Sequence, residues 1–224
     1  GGDALAVARM LGEDGYQVNV FLFNIHNKLS ADCATNKKRI IEGKCVKQFT
    51  EVTVNFDPPQ LEAGMLVVDG LFGSGLNKPL AGGFAAMVKY INQSAAKIVS
   101  IDLPSGLMSE DNSYNISANI IRADLTLTLQ QKKLSMLMAD NQQYLGRIKV
   151  LDIRLSPDFI QHTESRCSIL EEKDIRQLLK PRGDFAHKGS MGTALLIAGS
   201  YGMAGASVLA TRACLRTGVG KVIT

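Results

Sequence analysis

The sequence predicts an α/β fold in which a mainly parallel sheet is covered by helices on both faces. Short apolar runs typical of strands alternate with segments of helical periodicity up to about residue 150. Two of these runs, residues 65–69 and 97–102, end in an aspartate that is followed by a glycine- or proline-containing turn. Because ligands of parallel sheets bind at the carboxyl ends of the strands, Asp69 and Asp102 are expected at one functional edge.

The first part of this pattern predicts helix, strand, helix and strand in that order. Residues 3–12 carry apolar side chains at helical spacing, and residues 17–23 are rich in the β-branched and aromatic types that favour strands. Residues 31–42 are polar but compatible with a helix, and residues 47–54 predict a short strand.

The second part of the pattern predicts strands at residues 65–69 and 97–102, with a helix at residues 84–92 between them. That helix has four apolar side chains on one face. Residues 123–129 alternate in the manner of a half-exposed strand, and residues 147–153 predict a further strand.

A different pattern begins after residue 156. Residues 156–168 are polar and irregular, and residues 169–179 fit a short helix. A strand at 194–198, a glycine-rich loop at 199–205 and a helix of small residues at 206–215 form a second strand, loop and helix unit. We therefore divide the sequence into a first domain (1–156), a linker (157–168) and the start of a second domain (169–224).

Composition limits the classes of function. The net charge of +4 is too weak to predict nucleic-acid binding, and the sequence has neither a membrane-length apolar run nor a signal peptide. The four cysteines stand in unrelated contexts, so free thiols in a reducing cytoplasm are expected. The chain starts at a glycine-rich loop without Met and stops in a strand-like run, which predicts a fragment of a longer protein.

The glycine-rich segment VDGLFGSGLNKP at residues 68–79 is the strongest local motif. Gly73, Ser74 and Gly75 provide backbone N–H groups that can converge on an anion such as phosphate. The alternative is an ordinary turn between a strand and a helix. The acid at the end of the strand and the length of the loop favour a site.

The segment IDLPSG at residues 101–106 is the second motif. Asp102 at the end of a strand can act as a general acid or base, although a turn-forming acid is the alternative. Ser105 offers hard oxygen ligands, and together with Asp69 it could hold a cation.

Several other features carry weaker signals. Gly1, Gly2 and Asp3 precede a helix, which favours phosphate binding, although Asp3 could instead be a helix cap. The remaining candidates are expected to be solvent-exposed, to lie in a loop or to pack in the core: His26, His162, His187, the basic groups at 37–39 and 132–133, and the Met-rich run at 136–138.

Taken together, these motifs resemble the YjeF N-terminal domain family, the NAD(P)H-hydrate epimerases. GGDALAVARML, VVDGLFGSGLNKPLAGGF, INQSAAKIVSIDLPSGL and ADLTLTL occur in the order and at the spacing of that family. The segment HKGSMGTALLIAGSYGMAGASVLATRACLRTGVG resembles the opening of the ADP- or ATP-dependent NAD(P)H-hydrate dehydratases. In bacteria the two domains are commonly fused in this order.

The resemblance implies a three-layer α/β/α Rossmann-like domain followed by the start of a ribokinase-like α/β domain. The implied activity is interconversion of the R and S forms of hydrated NAD(P)H, called NAD(P)HX, as repair of a damaged cofactor. The dehydratase domain of such proteins restores NAD(P)H from the S form and consumes ADP or ATP with Mg²⁺. The family also implies a homo-oligomer, while the weak net charge and the lack of a membrane-length apolar run predict no nucleic-acid or membrane partner.

The resemblance assigns roles to individual residues of the first domain. Asp102 matches the catalytic acid that contacts the substrate, and Asp69 and Ser105 match potassium ligands. Gly1, Gly2 and Asp3 match the end of the NNGGDG loop, whose two asparagines are absent here although one is a potassium ligand. The loop that surrounds the substrate phosphates is matched by seven consecutive residues, Gly73, Ser74, Gly75, Leu76, Asn77, Lys78 and Pro79.

In the second domain, Ala206 matches a position near the hydrate pocket of the dehydratases. The nucleotide-phosphate loop and the catalytic aspartate of that family come later than Thr224, so this stretch is expected to lack dehydratase activity. The sequence leaves two other functions open, a non-catalytic binding or assembly module with this fold and a small-molecule kinase. It also leaves open the choices between NADHX and NADPHX and between ADP and ATP.

Overall fold

The computed structural model describes residues 1–25, 27–54, 56–179 and 181–224, and these form two compact units. The units are Gly1–Thr163 and Glu164–Thr224, and the division falls within the segment expected to be a linker. His26, which is predicted to be at the surface, lies outside the described residues. His162 is exposed, as predicted.

The first unit opens with two helices and two strands that match the prediction. Helix α1 is preceded by Gly1, and α2 begins after Ser30, whose hydroxyl accepts a hydrogen bond from the N–H of Cys33 at 3.3 Å. Their bounds are α1 Gly2–Glu13, β1 Asn19–Phe23, α2 Ala31–Gly43 and β2 Gln48–Val52.

The remaining strands of the first unit also lie where the sequence predicts them. Two helices are additions, and α5 falls in the segment that was expected to be irregular. That expectation is wrong because Ser156 caps the helix through its hydroxyl and Pro157 suits a first helical turn. The bounds are β3 Leu66–Asp69, α3 Gly82–Gln93, β4 Lys97–Ile101, β5 Leu125–Leu129, α4 Gln142–Leu145, β6 Arg147–Leu151 and α5 Pro157–His162.

All of the strand pairs within the described part of the first unit are parallel. Strands β1 and β2 pair with each other, and β3, β4, β5 and β6 form a four-stranded sheet in that order. The register places Asp69 opposite Ser100 and Ile101 opposite Leu127. The ends of β3, β4 and β5 therefore lie at one edge, which confirms the predicted α/β class and the predicted edge.

Helices cover both faces of β1. Its even-numbered side chains, Val20 and Leu22, pack in a core cluster with α1 and α2. The odd-numbered side chains point to the opposite face, where the Phe23 ring lies 6.1 Å from the ring of Phe84 on α3.

Two further core clusters complete the packing of the first unit. One includes Val88 and Ile91 of α3 with Ile98 of β4. The other lies beneath the segment after β5 and includes Met136, which confirms the expected packing role for that residue of the Met-rich run, while Met138 is 44% exposed.

The second unit has the predicted order of helix, strand, glycine loop, helix and strand. Its two strands pair in parallel. The elements are α6 Glu172–Leu178, β7 Thr193–Leu195, α7 Gly205–Thr217 and β8 Lys221–Ile223. His187 lies in a turn before β7, as expected.

The four cysteines, Cys33, Cys45, Cys167 and Cys214, are free thiols. Within the described residues, no helix is both long enough and apolar enough to cross a lipid bilayer.

The N-terminus of α1 is packed against two other elements. A Cβ atom on Gly70 would lie 2.4 Å from the Cβ of Ala4, and the nitrogen of Gly1 donates to the Gly70 carbonyl at 2.7 Å. A Cβ atom on Gly2 would lie 3.1 Å from the Cβ of Asp32 at the start of α2. The absence of side chains at Gly2 and Gly70 therefore brings the start of α1 to the functional edge.

This contact gives a test of the packing between α1 and the loop after β3. We expect Gly70→Ala to lower the free energy of unfolding by about 1–3 kcal/mol, because its methyl group overlaps that of Ala4. Adding Ala4→Gly should recover most of this loss, apart from about 1 kcal/mol for glycine in a helix. Urea unfolding followed by circular dichroism measures both effects.

The control for this experiment is Gly75→Ala, whose new methyl group would point into open space. Its unfolding free energy should stay within about 0.5 kcal/mol of the unmodified chain. If Gly70→Ala and Gly75→Ala unfold at the same urea concentration, the proposed overlap is absent.

Candidate functional site

Asp69 is a buried carboxylate at the end of β3, with 2% of the residue exposed. Its Oδ2 accepts hydrogen bonds at 2.8 Å from the hydroxyl of Ser100 and from the backbone N–H of Ser105. Its Oδ1 accepts from the hydroxyl of Ser105 at 2.5 Å and from the N–H of Leu71 at 3.4 Å. Asp69 therefore joins the ends of β3 and β4 to the turn that follows β4.

Ser105 extends this network to the glycine-rich loop. Its buried hydroxyl accepts a hydrogen bond from the N–H of Phe72 at 2.9 Å, while its carbonyl accepts from the N–H of Ile121 at 2.9 Å. The two sequence motifs, one after β3 and one after β4, are thus held together by Ser105. The structure confirms that they meet at one edge of the sheet.

Burial raises the pKa of Asp69 above its ordinary value, although hydrogen bonds from Ser105 and Ser100 oppose the rise. Among the described residues, no Lys, Arg or His forms an ion pair with this carboxylate. The four groups that donate to Asp69 are neutral. A buried carboxylate of this kind is stabilised in its charged form when a cation lies nearby.

Asp102 lies directly after β4 in an unusual backbone conformation. Its φ of +68° is in the left-handed region, which few residues other than glycine adopt. Its N–H donates to the Leu127 carbonyl at 2.8 Å, and its Oδ2 accepts from the N–H of Ser74 at 3.2 Å. The carboxylate therefore faces the glycine-rich loop from the neighbouring strand end, and strained backbone of this kind is frequent at functional sites.

Lys133 is the partner of Asp102 that the sequence did not indicate. Its Nζ donates to Asp102 Oδ1, to Thr128 Oγ1 at 2.9 Å and to the Leu129 carbonyl at 3.0 Å. The Lys133 side chain is 16% exposed and that of Asp102 12%. The expectation of a solvated basic group is wrong for Lys133 and correct for Lys132, which is exposed.

A sequence signal for Lys133 does exist. Thr128 and Leu129 end β5, and Lys133 follows them by one turn, so the chain returns the lysine to the carboxyl edge of the sheet. A lysine so soon after a predicted strand is a candidate for the site. The pair Lys132–Lys133, considered only as two adjacent basic residues, does not indicate a functional site.

The pKa of Asp102 reflects two opposing effects. Burial alone would raise it, but the hydrogen bond and charge of Lys133, with the N–H groups of Leu129 and Ser74, outweigh burial, and the pKa is lowered. The carboxylate is therefore ionised at neutral pH. Asp102 and Lys133 form a partly buried ion pair next to the glycine-rich loop.

The residues of the predicted phosphate loop lie in different environments. A Cβ atom on Gly73 would lie 3.4 Å from Asp102 Oδ2, and Ser74 donates to the same carboxylate, so these two residues adjoin the acid. Leu76 packs instead against the core cluster that contains Leu80. The other predicted members of the loop are Gly75, Asn77 and Lys78, which are exposed, and Pro79, which is half-buried.

The remaining predicted residues lie in two different places. Gly1 and Gly2 lie beside Gly70 and α2, at the same edge as Asp69, and Asp3 is in the first turn of α1. Ala206 belongs to the second unit, where it is exposed in the first turn of α7.

Removal of the Ser105 hydroxyl tests the network around Asp69. Ser105→Ala leaves Asp69 Oδ1 without its shortest hydrogen bond and the Phe72 N–H without its acceptor, so we expect a loss of about 1–3 kcal/mol in unfolding free energy. Urea unfolding measures this loss. Ser113→Ala removes a hydroxyl in an exposed turn and is the control, with an expected change below about 0.5 kcal/mol.

Replacement of Lys133 tests the origin of the Asp102 pKa. Lys133→Met removes the main influence that lowers it and leaves burial, so the pKa of Asp102 should rise. Carboxyl ¹³C NMR titration measures this pKa, and Lys132→Met should leave it unchanged. An equal Asp102 pKa in both variants would contradict the assignment.

The same pair has a consequence for stability. Because the folded pKa of Asp102 lies below its unfolded value, its contribution to stability is present above the unfolded pKa and is lost as pH falls through the folded pKa. As pH falls from the unfolded to below the folded pKa of Asp102, the free energy of unfolding should therefore decrease less in the Lys133→Met variant than in the unmodified chain.

Two neighbouring parallel strands thus each bring an aspartate to the carboxyl edge of the sheet, next to glycine-rich turns. This arrangement is typical of α/β domains that bind a small molecule at that edge. Comparison with known families identifies the domain. The family described as YjeF-related protein N-terminus matches residues 1–135, and the chain belongs to this family.

Individual relatives extend the similarity beyond that domain. The chain is 32% identical over 222 residues to the bifunctional NAD(P)H-hydrate repair enzyme Nnr of Coxiella burnetii, covering 99% of the chain and 44% of that protein. The enzyme of the same name from Thermofilum pendens is 33% identical over 221 residues, or 98% of the chain and 41% of its own length. The chain thus spans less than half the length of these bifunctional relatives.

A shorter relative matches about two thirds of the chain. The NAD(P)H-hydrate epimerase of Limosilactobacillus fermentum is 29% identical over 152 residues, which is 68% of this chain and 69% of that protein.

Proposed function

We propose that the first domain is an NAD(P)H-hydrate epimerase, which interconverts the R and S forms of NAD(P)HX. The observation that carries this proposal is the Asp102–Lys133 ion pair, which lies beside Gly73 and Ser74 at the carboxyl edge of the sheet. The names of the relatives agree with it, since they include an epimerase and bifunctional repair enzymes.

The substrate would be bound through its phosphates. The N–H groups of an exposed glycine-rich loop and the N-terminus of α1 both favour an anion. We assign the loop from Gly73 to Pro79 to this role, with Lys78 as an exposed positive charge and Leu76 as the side chain that fixes the loop to the core. Gly1, Gly2 and Asp3 would bound the site on the α1 side.

The reaction requires a C–O bond at C6 of the nicotinamide ring to break and form again. The lone pair of the ring nitrogen forms a C6=N bond as the C6–O bond breaks, and the departing hydroxyl takes a proton and leaves as water. Water then adds to the opposite face of C6, the electron pair returns to nitrogen, and a proton is released. Atoms and charge are conserved, and the configuration at C6 is inverted.

The Asp102–Lys133 pair can supply and recover this proton. Because Lys133 holds Asp102 in its ionised form, the carboxylate is suited to accept a proton from the incoming water and to stabilise the cationic ring. The Lys133 ammonium, which donates a hydrogen bond to Asp102, can supply the proton that the departing hydroxyl takes. This sharpens the sequence-based hypothesis, in which Asp102 alone exchanged the proton.

Asp69 and Ser105 are proposed ligands of a potassium ion. The residues fit such an ion, because the atoms that could coordinate it are oxygens and the buried carboxylate lacks a charged partner among the described residues. A bound cation would supply positive charge that stabilises the ionised form of Asp69.

The second unit is proposed to be the start of a ribokinase-like dehydratase domain that uses ADP or ATP with Mg²⁺. Its strand, glycine loop and helix, from β7 to α7, agree with this, and Ala206 would lie near the hydrate pocket. In the described residues no cluster of three Asp, Glu, His or Cys side chains offers a metal site, so no residue is assigned to Mg²⁺. We also propose that the protein is cytoplasmic and forms a homo-oligomer.

Asp102→Asn tests the proposed function. It keeps the shape of the side chain but removes the charge and replaces one of the two acceptor oxygens with an NH2 donor, so R-to-S conversion should fall by at least about a hundredfold. The measurement is chromatographic separation of the two epimers after incubation of the R form with the intact protein. Thermal unfolding should show that the variant remains folded.

Asp111→Asn is the matched control, because Asp111 is an exposed turn aspartate that bonds to Ser113. It should convert the R form at the rate of the unmodified protein. Near-normal conversion by Asp102→Asn would exclude the catalytic role. Absence of conversion by the unmodified protein would favour the alternative of a non-catalytic binding or assembly module.

A further inference from the structure

Asn24 lies at a position in the fold where ribose recognition is common. In dinucleotide-binding folds, a glycine-rich turn and its helix lead into a strand that ends in a ribose-binding side chain, about 20 residues after the glycines. Here Gly1 and Gly2 lead into α1 and then β1, and Asn24 is the first residue after that strand.

The side chain of Asn24 is buried and incompletely hydrogen-bonded. The residue is 5% exposed, and its Nδ2 donates to Glu51 Oε1 at 2.7 Å. In the described part of the chain, no group donates a hydrogen bond to its Oδ1. A buried amide oxygen without a donor costs about 1–3 kcal/mol, so such an atom requires a partner, which a hydroxyl of a bound ligand can supply.

Glu51 and Lys37 adjoin Asn24. The Nζ of Lys37 on α2 lies 2.5 Å from Glu51 Oε2, and the two side chains are 26% and 28% exposed. The hydrogen bond from Lys37, followed by that from Asn24, lowers the pKa of Glu51 and keeps it ionised. The lysine charge is therefore already neutralised, and the cluster offers mainly acceptor oxygens.

Two series of contacts connect the elements that carry this cluster to the candidate site. Gly2 at the start of α1 packs against Asp32 at the start of α2, the helix that carries Lys37. On the other side of β1, Phe23 lies 6.1 Å from Phe84, whose ring is 4.9 Å from that of Phe72 in the glycine-rich loop. One dinucleotide could span both groups of residues.

We propose that Asn24, Glu51 and Lys37 form a subsite for a ribose with a free 2′-hydroxyl, so that this domain prefers NADHX to NADPHX. The inference rests on the proposed function. A hydroxyl can donate to Asn24 Oδ1 and to the Glu51 carboxylate. A 2′-phosphate has few protons to donate, and its charge is repelled by Glu51.

Two probes, ADP-ribose and ADP-ribose 2′-phosphate, test the subsite by binding alone, because neither carries the nicotinamide ring that reacts. Isothermal titration calorimetry should show that the unmodified chain binds ADP-ribose about tenfold more tightly, a difference of about 1.4 kcal/mol. Glu51→Gln removes the repulsion and frees Lys37 for the phosphate, so the ratio should fall below about threefold. Asn24→Ala should weaken binding of ADP-ribose about tenfold.

Glu42→Gln is the control, because Glu42 is an exposed acid on α2 that pairs with Lys38. It should keep the tenfold ratio. Thermal unfolding checks each variant, and Glu51→Gln tests the proposal even if Asn24→Ala does not fold, since Glu51 is partly exposed.

Three results would overturn the subsite: equal affinity for the two probes, no binding of either probe, or the same ratio in Glu51→Gln and Glu42→Gln. Epimer conversion separates this outcome from failure of the proposed function. Failure of the function appears as no R-to-S conversion while the probe ratio persists. Failure of the subsite appears as conversion without a preference between the probes.

Discussion

The hydrogen bonds between Asp69 and Ser105 are the interaction on which the site depends. Through them the end of β3, the end of β4 and the glycine-rich loop become one buried network. Because a buried carboxylate requires several donors, this network leaves little freedom to the turns that carry it. The position of Asp102 relative to Ser74 is a consequence, since each belongs to one of the two turns that Ser105 joins.

Much of the fold follows from local sequence patterns. The alternation of apolar runs and helical segments predicted each strand of the first unit, and the acids after β3 and β4 predicted the functional edge, because parallel strands bring their carboxyl ends together. Helix α5 was not predicted, since a serine cap and a proline give a weaker signal than apolar periodicity. The proximity of Asp69 and Ser105 also followed from the predicted sheet edge, whereas the direct hydrogen bonds between them were not predicted.

The ion pair of Lys133 with Asp102 could not be derived in the same way. The position of Lys133 just after a predicted strand makes it a candidate, but a charged side chain near a strand end is usually solvated, and its burial here depends on the path of the chain after β5. The same limit applies to Asn24 and Glu51, whose meeting depends on the register of β1 with β2. Residues that act in pairs across the fold are thus the ones that single motifs miss.

The left-handed backbone of Asp102 restricts which residues can occupy its position. Outside glycine, asparagine and aspartate adopt this region at the lowest cost, whereas a longer acid such as glutamate gains nothing from the backbone and displaces the carboxylate. A duplicated copy of the domain could therefore replace its acid by asparagine without added backbone strain at this position. In such lineages, the identity of this single residue would separate enzymes from descendants that retain only the architecture.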